Sequence, residues 1–517
     1  MIEIRMSTDD YVYDVQGLCK SFYPSEQIVM ESWNERSKEG EHVIAIFQGT
    51  DYVELTWQKG EDSGQLHRNV PENTRRSYKN TIKKILYEYL SKQTGNTLPW
   101  GTLTGVRPTK LVMERLVLGE NREQIARFMK EQYYCSEEKI ALGYEISKRE
   151  LELLRAIDYE NGYSLYIGIP FCPTRCSYCS FPSYPVGDYE QLVEKYLEAL
   201  FQEIAYVSTR QWNQKLSTIY IGGGTPTTLS AEQLQRLLRH IKQHFPMEDV
   251  VEFTVEAGRP DSITREKLQV MKAEGVTRIS INPQSMNQET LDLIGRKHTV
   301  SQVKEIFQMA REEGHDTINM DLIIGLPGET AEHMEQTLQQ LDALQPDNLT
   351  VHSLVLKRAA RLNTDYVNHL EMSKQKEETA QASPYELEGQ SEKMAQMAAK
   401  YAKTHGYEPY YMYRQKNATG SDCDSRENIG YAKPGKECLY NILIMEEKQT
   451  ILALGAGASS KFLLPAAKKP LQRVENVKSV TDYISRIQEM IGRKEAFWQA
   501  HREELQGSMH QVKKRGV

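Results

Sequence analysis

The chain has 517 residues, a formal net charge of -7, 39% hydrophobic and 26% charged residues. That length allows two to four domains of roughly 100 to 200 residues each. The composition excludes a disordered or collagenous chain, and the acidic balance excludes a global basic field that would draw nucleic acid or anionic membrane.

The start, MIEIRMSTDDYVYDV, has no basic region followed by an apolar core, and no run of about 18 apolar residues appears anywhere. A cytoplasmic protein with no membrane span and no nucleic-acid partner is expected. Residues 1–155 mix alternating stretches (HVIAIF, DYVELTW) with helical patterns (RRSYKNTIKKILYEYLSKQ, NREQIARFMKEQYY), which predicts an N-terminal α+β domain. TLTGVRPTK between them reads as a surface loop carrying two cations, Arg107 and Lys110.

From about 162 short apolar strands alternate with helices of ten to twenty residues. Six strands are predicted: SLYIGI, STIYIGG, VEFTVEAG, TRISINPQ, TINMDLIIG and NLTVHSLV. Such an α/β alternation with right-handed crossovers predicts an open or closed β/α barrel over 156–365, or an open doubly wound sheet, with its chemistry at the strand C-terminal ends. Residues 366–517 are expected to form a C-terminal helical and α+β domain. In it, 371–406 read as solvated helices, YNILIME and QTILALGAG as a pair of strands, and the end as a polar helix.

Seven cysteines in a chain this long do not make a disulfide framework. Cys19, Cys135, Cys423 and Cys438 are scattered and read as small buried hydrophobes. Cys172, Cys176 and Cys179 stand at CX3CX2C spacing directly after the first barrel strand, in YIGIPFCPTRCSYCSF. Three thiolates from one tight loop can face three irons of a cubane and leave the fourth open to a substrate. A structural zinc site wants four closed ligands, and no fourth Cys or His follows.

This spacing after the first strand of a β/α series resembles the signature of the radical S-adenosylmethionine superfamily. The resemblance implies an α/β fold built on a partial (β/α)6 barrel and a [4Fe–4S] cluster on Cys172, Cys176 and Cys179. S-adenosylmethionine would chelate the open iron and be cleaved to a radical that takes hydrogen from substrate. Gly222, Gly223, Gly224 and Thr225 in IGGGTPT let backbone approach a ligand, and their place matches the family's loop for the cofactor amino group. A phosphate-loop reading fails because no GK[ST] follows.

Glu256, Gln284 and Asp321 end the third, fourth and fifth strands, and Arg296, Lys297 and His298 form a cationic cluster able to fork onto a carboxylate. In order, these positions resemble the oxygen-independent coproporphyrinogen III oxidase group. TGVRPTK, YRQKN and LGAGASSK look most like its coproporphyrinogen dehydrogenase HemZ branch. The resemblance implies that Tyr166, the glycine loop, Glu256 and Val355 bind S-adenosylmethionine. Tyr178, Gln284, Arg296 and Asp321 would lie nearer a second molecule, so one or two bind, and Tyr166 and Arg296 would act in catalysis.

It further implies a tetrapyrrole substrate, coproporphyrinogen III, whose propionates become vinyl groups, and a low-potential flavodoxin or ferredoxin as donor. Arg107, Lys110, Arg296, Lys297, Arg414 and Lys416 are the candidate partners of four propionates. Ser180 and Phe181 follow the third cysteine where oxidases of the group carry a further cysteine. Phe181 and GRKHT resemble instead the haem-chaperone branch, and another tetrapyrrole-modifying activity fits the same barrel. The HNxxYW haem-binding stretch of the chaperones falls here on Tyr440, Asn441, Ile444 and Met445, with no His.

Overall fold

The structure is a computed structural model that describes residues 1–24, 26–32, 42–210, 214–355, 360–362, 364, 390–415, 426–464 and 471–507. Cys423, Lys416 and the charged stretch 371–389 lie outside the described residues. The chain divides into two compact units, Met1–Arg149 with Met412–Asn428, and Glu150–Tyr411 with Ile429–Val517.

In the first unit five strands, β1 (Ile2–Met6), β2 (Ile28–Ser32), β3 (His42–Gln48), β4 (Tyr52–Lys59) and β5 (Asp62–Asn69), form a sheet in the order β2-β1-β3-β4-β5. Period-2 alternation puts Ile44, Ile46, Val53 and Leu55 on one face. There they meet Ile82, Ile85, Leu86 and Leu90 from the Arg75–Thr94 helix, whose start is capped by Thr74 and whose end is Gly95 at φ 72.

The second unit is built on β6 (Gly162–Ile169), β9 (Lys215–Gly223), β10 (Glu252–Gly258), β11 (Arg278–Ile281), β12 (Ile318–Ile324) and β13 (Asn348–Ser353), all parallel neighbours and separated by helices. These are the six strands the sequence predicts. A short parallel pair, β7 (Phe171–Cys172) and β8 (Tyr184–Pro185), brackets the cysteine loop. The sheet continues through β14 (Glu408–Arg414), β15 (Glu427–Ala432), β16 (Thr450–Leu454), β17 (Ser459–Leu463) and β18 (Leu471–Glu475), giving the order β14-β15-β13-β12-β11-β10-β9-β6-β16-β17-β18.

Two differences from the sequence expectation follow from this sheet. Residues 429–517 do not stand apart as a domain from 366 onward. β16 pairs in parallel with β6, Thr450 to Tyr163 through Leu454 to Ile167, and so extends the barrel wall. YNILIME is not a strand but the Leu439–Met445 helix. Its N-terminus is held by the Glu252 carboxylate, which accepts from the Leu439 N–H at 2.8 Å and the Tyr440 N–H at 3.1 Å.

Each barrel strand sorts its residues by parity. Leu165, Ile167, Ile169, Ile219, Ile221, Phe253, Val255, Ile279 and Ile281 point outward into the core beneath the helices. The opposite parity is polar. Ser164 accepts from Thr218 at 2.8 Å, and Arg278 donates to Asn348 and lies 3.6 Å from Glu252. A polar interior face is costly unless its groups are partnered; these pairs offset part of that cost, while Thr254 Oγ1 and Ser280 Oγ have no hydrogen-bond partner among the described residues.

Candidate functional site

The strand ends carry the chemistry. Cys172 ends β7, and the chain turns back so tightly that the Cys179 N–H donates to the Cys176 carbonyl at 3.2 Å. The loop is clamped from two sides. Gly224 and Thr225 donate their N–H groups to the Ile169 and Phe171 carbonyls, each at 2.7 Å, and Ser177 donates its N–H to Ile294 at 3.1 Å. A Cβ on Gly224 would stand 2.5 Å from the Phe171 carbonyl oxygen, and Gly223 has φ 108, so this approach requires glycine.

Burial pushes the Cys172 thiol up to about 11 and also raises Cys179, so thiolates here need a cationic partner such as iron. Among the described residues no three His, Cys, Asp or Glu side chains close on one metal ion. The cubane that the resemblance implies asks for no such convergence, because each thiolate takes a different iron. Donors already face two sulfurs: Thr225 Oγ1 lies 3.5 Å from Cys172 Sγ, and Arg259 Nη1 lies 3.8 Å from Cys176 Sγ. Arg259 was not among the residues the sequence singled out, since a lone cation after a strand carries no signal.

Glu256, at the end of β10, faces the glycine loop. Its carboxylate accepts from the Gly223 N–H at 3.3 Å and from the Tyr220 hydroxyl. Burial pushes the Glu256 carboxyl up to about 7, against the lowering effect of the Tyr220 hydrogen bond and with Asp321 raising it further. The Tyr166 hydroxyl lies 3.2 Å from where a Cβ on Gly223 would stand. Tyr166, Tyr220 and Tyr440 stack, with centroids 6.3 Å apart for Tyr166 and Tyr220 and 4.5 Å for Tyr220 and Tyr440. Tyr220 is a further residue that pattern alone did not mark.

On the other side stand Gln284, Arg296, Asp321 and Tyr178. Gln284 holds φ 68, a strained value for a non-glycine residue. It is pinned there by its N–H donating to Asp321 and by its carbonyl accepting from Ile323. Its buried Oε1 and the Arg296 Nε have no hydrogen-bond partner among the described residues. Arg296 otherwise donates to the Asn282 carbonyl at 2.6 Å and the Tyr178 hydroxyl at 3.1 Å. Burial would push Asp321 up, but hydrogen bonds from His352, Asn319 and Thr350 outweigh it and hold the carboxyl below its usual range.

The structure thus brings Tyr166, Gly222, Gly223, Glu256 and Asp321 into one linked set. Thr225, Tyr178 and Arg296 line the cysteine loop. Val355 is buried just past β13. The expected triple cation is corrected: Lys297 is exposed, and His298 is fully buried, where burial and then Arg296 push its imidazole down to about 3, so it is neutral. Arg107, Lys110 and Arg414 belong to the first unit, where Arg414 donates to the Leu103 carbonyl at 2.5 Å. Orphaned buried polar atoms and strain beside a thiol loop fit a polar cofactor carrying carboxylate and amine groups.

Comparison with known proteins agrees with this geometry. Residues 166–341 match the radical SAM superfamily. The chain is 40% identical over 479 residues to the oxygen-independent coproporphyrinogen-III oxidase-like protein HemZ of Bacillus subtilis (strain 168), covering 89% of this chain and 91% of that one. It is 35% identical over 297 residues to the heme chaperone HemW of the same organism, covering 57% and 70%. Among solved structures, coproporphyrinogen III oxidase (HemN) from Escherichia coli superposes with a TM-score of 0.50 at 24% identity, over 66% of this chain and 73% of that one, and shares the fold. The chain therefore belongs to the radical SAM superfamily and, within it, to the family of oxygen-independent coproporphyrinogen-III oxidase-like proteins.

Proposed function

We propose that the protein decarboxylates propionate side chains of a tetrapyrrole, coproporphyrinogen III, to vinyl groups. Its cofactors are a [4Fe–4S] cluster and S-adenosylmethionine. When bound, they supply a one-electron step that lets a hydrogen atom be taken from an unactivated substrate carbon. Each propionate then gives up that hydrogen, one electron to an external acceptor, and CO2, and the process runs twice.

This chain's residues divide the work. Cys172, Cys176 and Cys179 hold the cluster. Gly222, Gly223, Gly224, Thr225 and Glu256 receive the amino and ribose end of S-adenosylmethionine, with Tyr166 beneath. Gln284 Oε1 and Arg296 Nε offer an unpartnered acceptor and donor for a second polar ligand, with Asp321 and Tyr178 beside them, and Val355 gives S-adenosylmethionine an apolar contact for its adenine. A low-potential flavodoxin or ferredoxin is the proposed reductant.

The observation that carries decarboxylation over haem delivery is Tyr440. It stands where the chaperones carry their haem-ligating His, is 4% exposed, and is stacked on Tyr220. No imidazole is available there to bind iron. The test is an anaerobic assay of reconstituted protein with reductant, S-adenosylmethionine and coproporphyrinogen III, following protoporphyrinogen and 5′-deoxyadenosine together. Both products rising is expected. Stoichiometric haem binding with no decarboxylation would overturn the proposal.

A further inference from the structure

One ion pair, buried at its arginine and open to solvent at its aspartate, reaches the cysteine loop from outside the residues named above as cofactor contacts. Arg259 follows β10 and is 3% exposed. Its guanidinium is divided between two tasks. Nε and Nη2 grip the Asp261 carboxylate at 2.9 and 2.6 Å, a fork-to-fork pair. Nη1 turns the other way. It donates to Thr174 Oγ1 at 2.7 Å and the Thr174 carbonyl at 3.0 Å, and it points at Cys176 Sγ from 3.8 Å.

Thr174 lies between the first two cysteines, so the same guanidinium fixes the loop's path and faces one of its sulfurs. We infer that Arg259 is a positioning residue that raises the reduction potential of the cluster, and that Asp261 sets how strongly it does so. Reduction adds an electron to the cluster, and the added charge spreads onto the thiolate sulfurs. A cation presenting an N–H to sulfur stabilises the reduced form more than the oxidised one, and low local dielectric magnifies the difference. Asp261 opposes this by partly neutralising the guanidinium and by holding two of its three nitrogens away.

The inference rests on Cys172, Cys176 and Cys179 holding the cluster and is independent of which tetrapyrrole is the substrate. It is tested on anaerobically reconstituted full-length protein by redox titration of the cluster, read by electron paramagnetic resonance and absorbance. Two variants are compared with wild type. Arg259→Gln with Asp261→Asn removes both charges and leaves no carboxylate unpaired. Asp261→Asn alone frees the guanidinium.

In the double variant, at the wild-type midpoint, the reduced-to-oxidised ratio is expected to fall at least tenfold, about 59 mV for a one-electron couple. In Asp261→Asn it is expected to rise. Both variants should keep the iron content of wild type. Full iron with wild-type midpoints in both variants would overturn the inference and leave Arg259 a structural residue. Where the double variant takes up no cluster, Asp261→Asn decides alone, and an unchanged or lowered midpoint overturns it. A wild-type protein that takes up no iron overturns the cysteine assignment, and this inference with it.

Discussion

The Tyr440 ring stacks on the Tyr220 ring with centroids 4.5 Å apart and planes 21° from parallel. A helix from the C-terminal part of the chain thereby delivers an aromatic side chain against barrel strand β9. Removing that ring should leave a hole that the polar barrel interior cannot close. Tyr440→Ala is expected to cost about 3 kcal/mol or more, on the scale of large-to-small aromatic changes, and Tyr440→Phe under about 1 kcal/mol. Denaturant unfolding of the two variants checks this.

Cys176 is the most buried of the three clustered cysteines, 9% exposed, and sits between Cys172 and Cys179 in the loop. Cys176→Ala is expected to hold well under the roughly four irons per chain of a reconstituted cubane. Iron and sulfide analysis after anaerobic reconstitution measures it, and wild-type iron content in the variant would remove Cys176 from the ligand set.

Glu256 gives a pH signature. Its folded carboxyl is raised to about 7 from an ordinary 4.5, so the folded protein binds this proton more tightly than the unfolded chain. Stability from this group is full below about 4.5 and is lost as pH rises through about 7. Glu256→Gln mimics the protonated form and lacks that loss. The melting temperature of the variant relative to wild-type apoprotein is expected to climb between pH 5 and 7 and stay level above 8. The full difference is on the order of 3 kcal/mol.

A second buried charge tests structure rather than chemistry. Glu203 is fully buried in the Val186–Ser208 helix. It accepts from Lys494 at 2.6 Å, Asn476 at 2.8 Å, the Gly455 N–H at 2.8 Å and the Tyr483 hydroxyl at 2.5 Å. Lys494→Ala strands that carboxylate and is expected to cost about 3 to 5 kcal/mol. Glu203→Gln with Lys494→Met, which removes both charges, should recover much of the loss in the same denaturant titration.

The barrel was legible because each of its six strands is an apolar run bounded by turn residues and followed by a helical period, a local pattern that packing reinforces. The CX3CX2C spacing marked a tight cysteine loop after the first barrel strand, and the structure closes that loop at the end of β7. What escaped was decided at long range. YNILIME is seven nearly apolar residues, too short for periodicity to separate strand from helix. Its helical state depends on a cap from Glu252, 187 and 188 residues away. Arg259 and Tyr220 likewise matter only through partners that the fold brings to them. His298 looked like a cation because it follows Arg296 and Lys297, but full burial deprives it of charge.

The pairing of β16 with β6 also dictates when the protein can be finished. β6 leads into the cysteine loop, yet one of its two edges stays open until residues 450–454 have been made. A nascent or truncated chain that stops earlier presents a bare, apolar strand edge beside three clustered thiols. Correct closure therefore comes late in synthesis, and chains cut short of β16 are the ones that chaperones and proteases have to intercept.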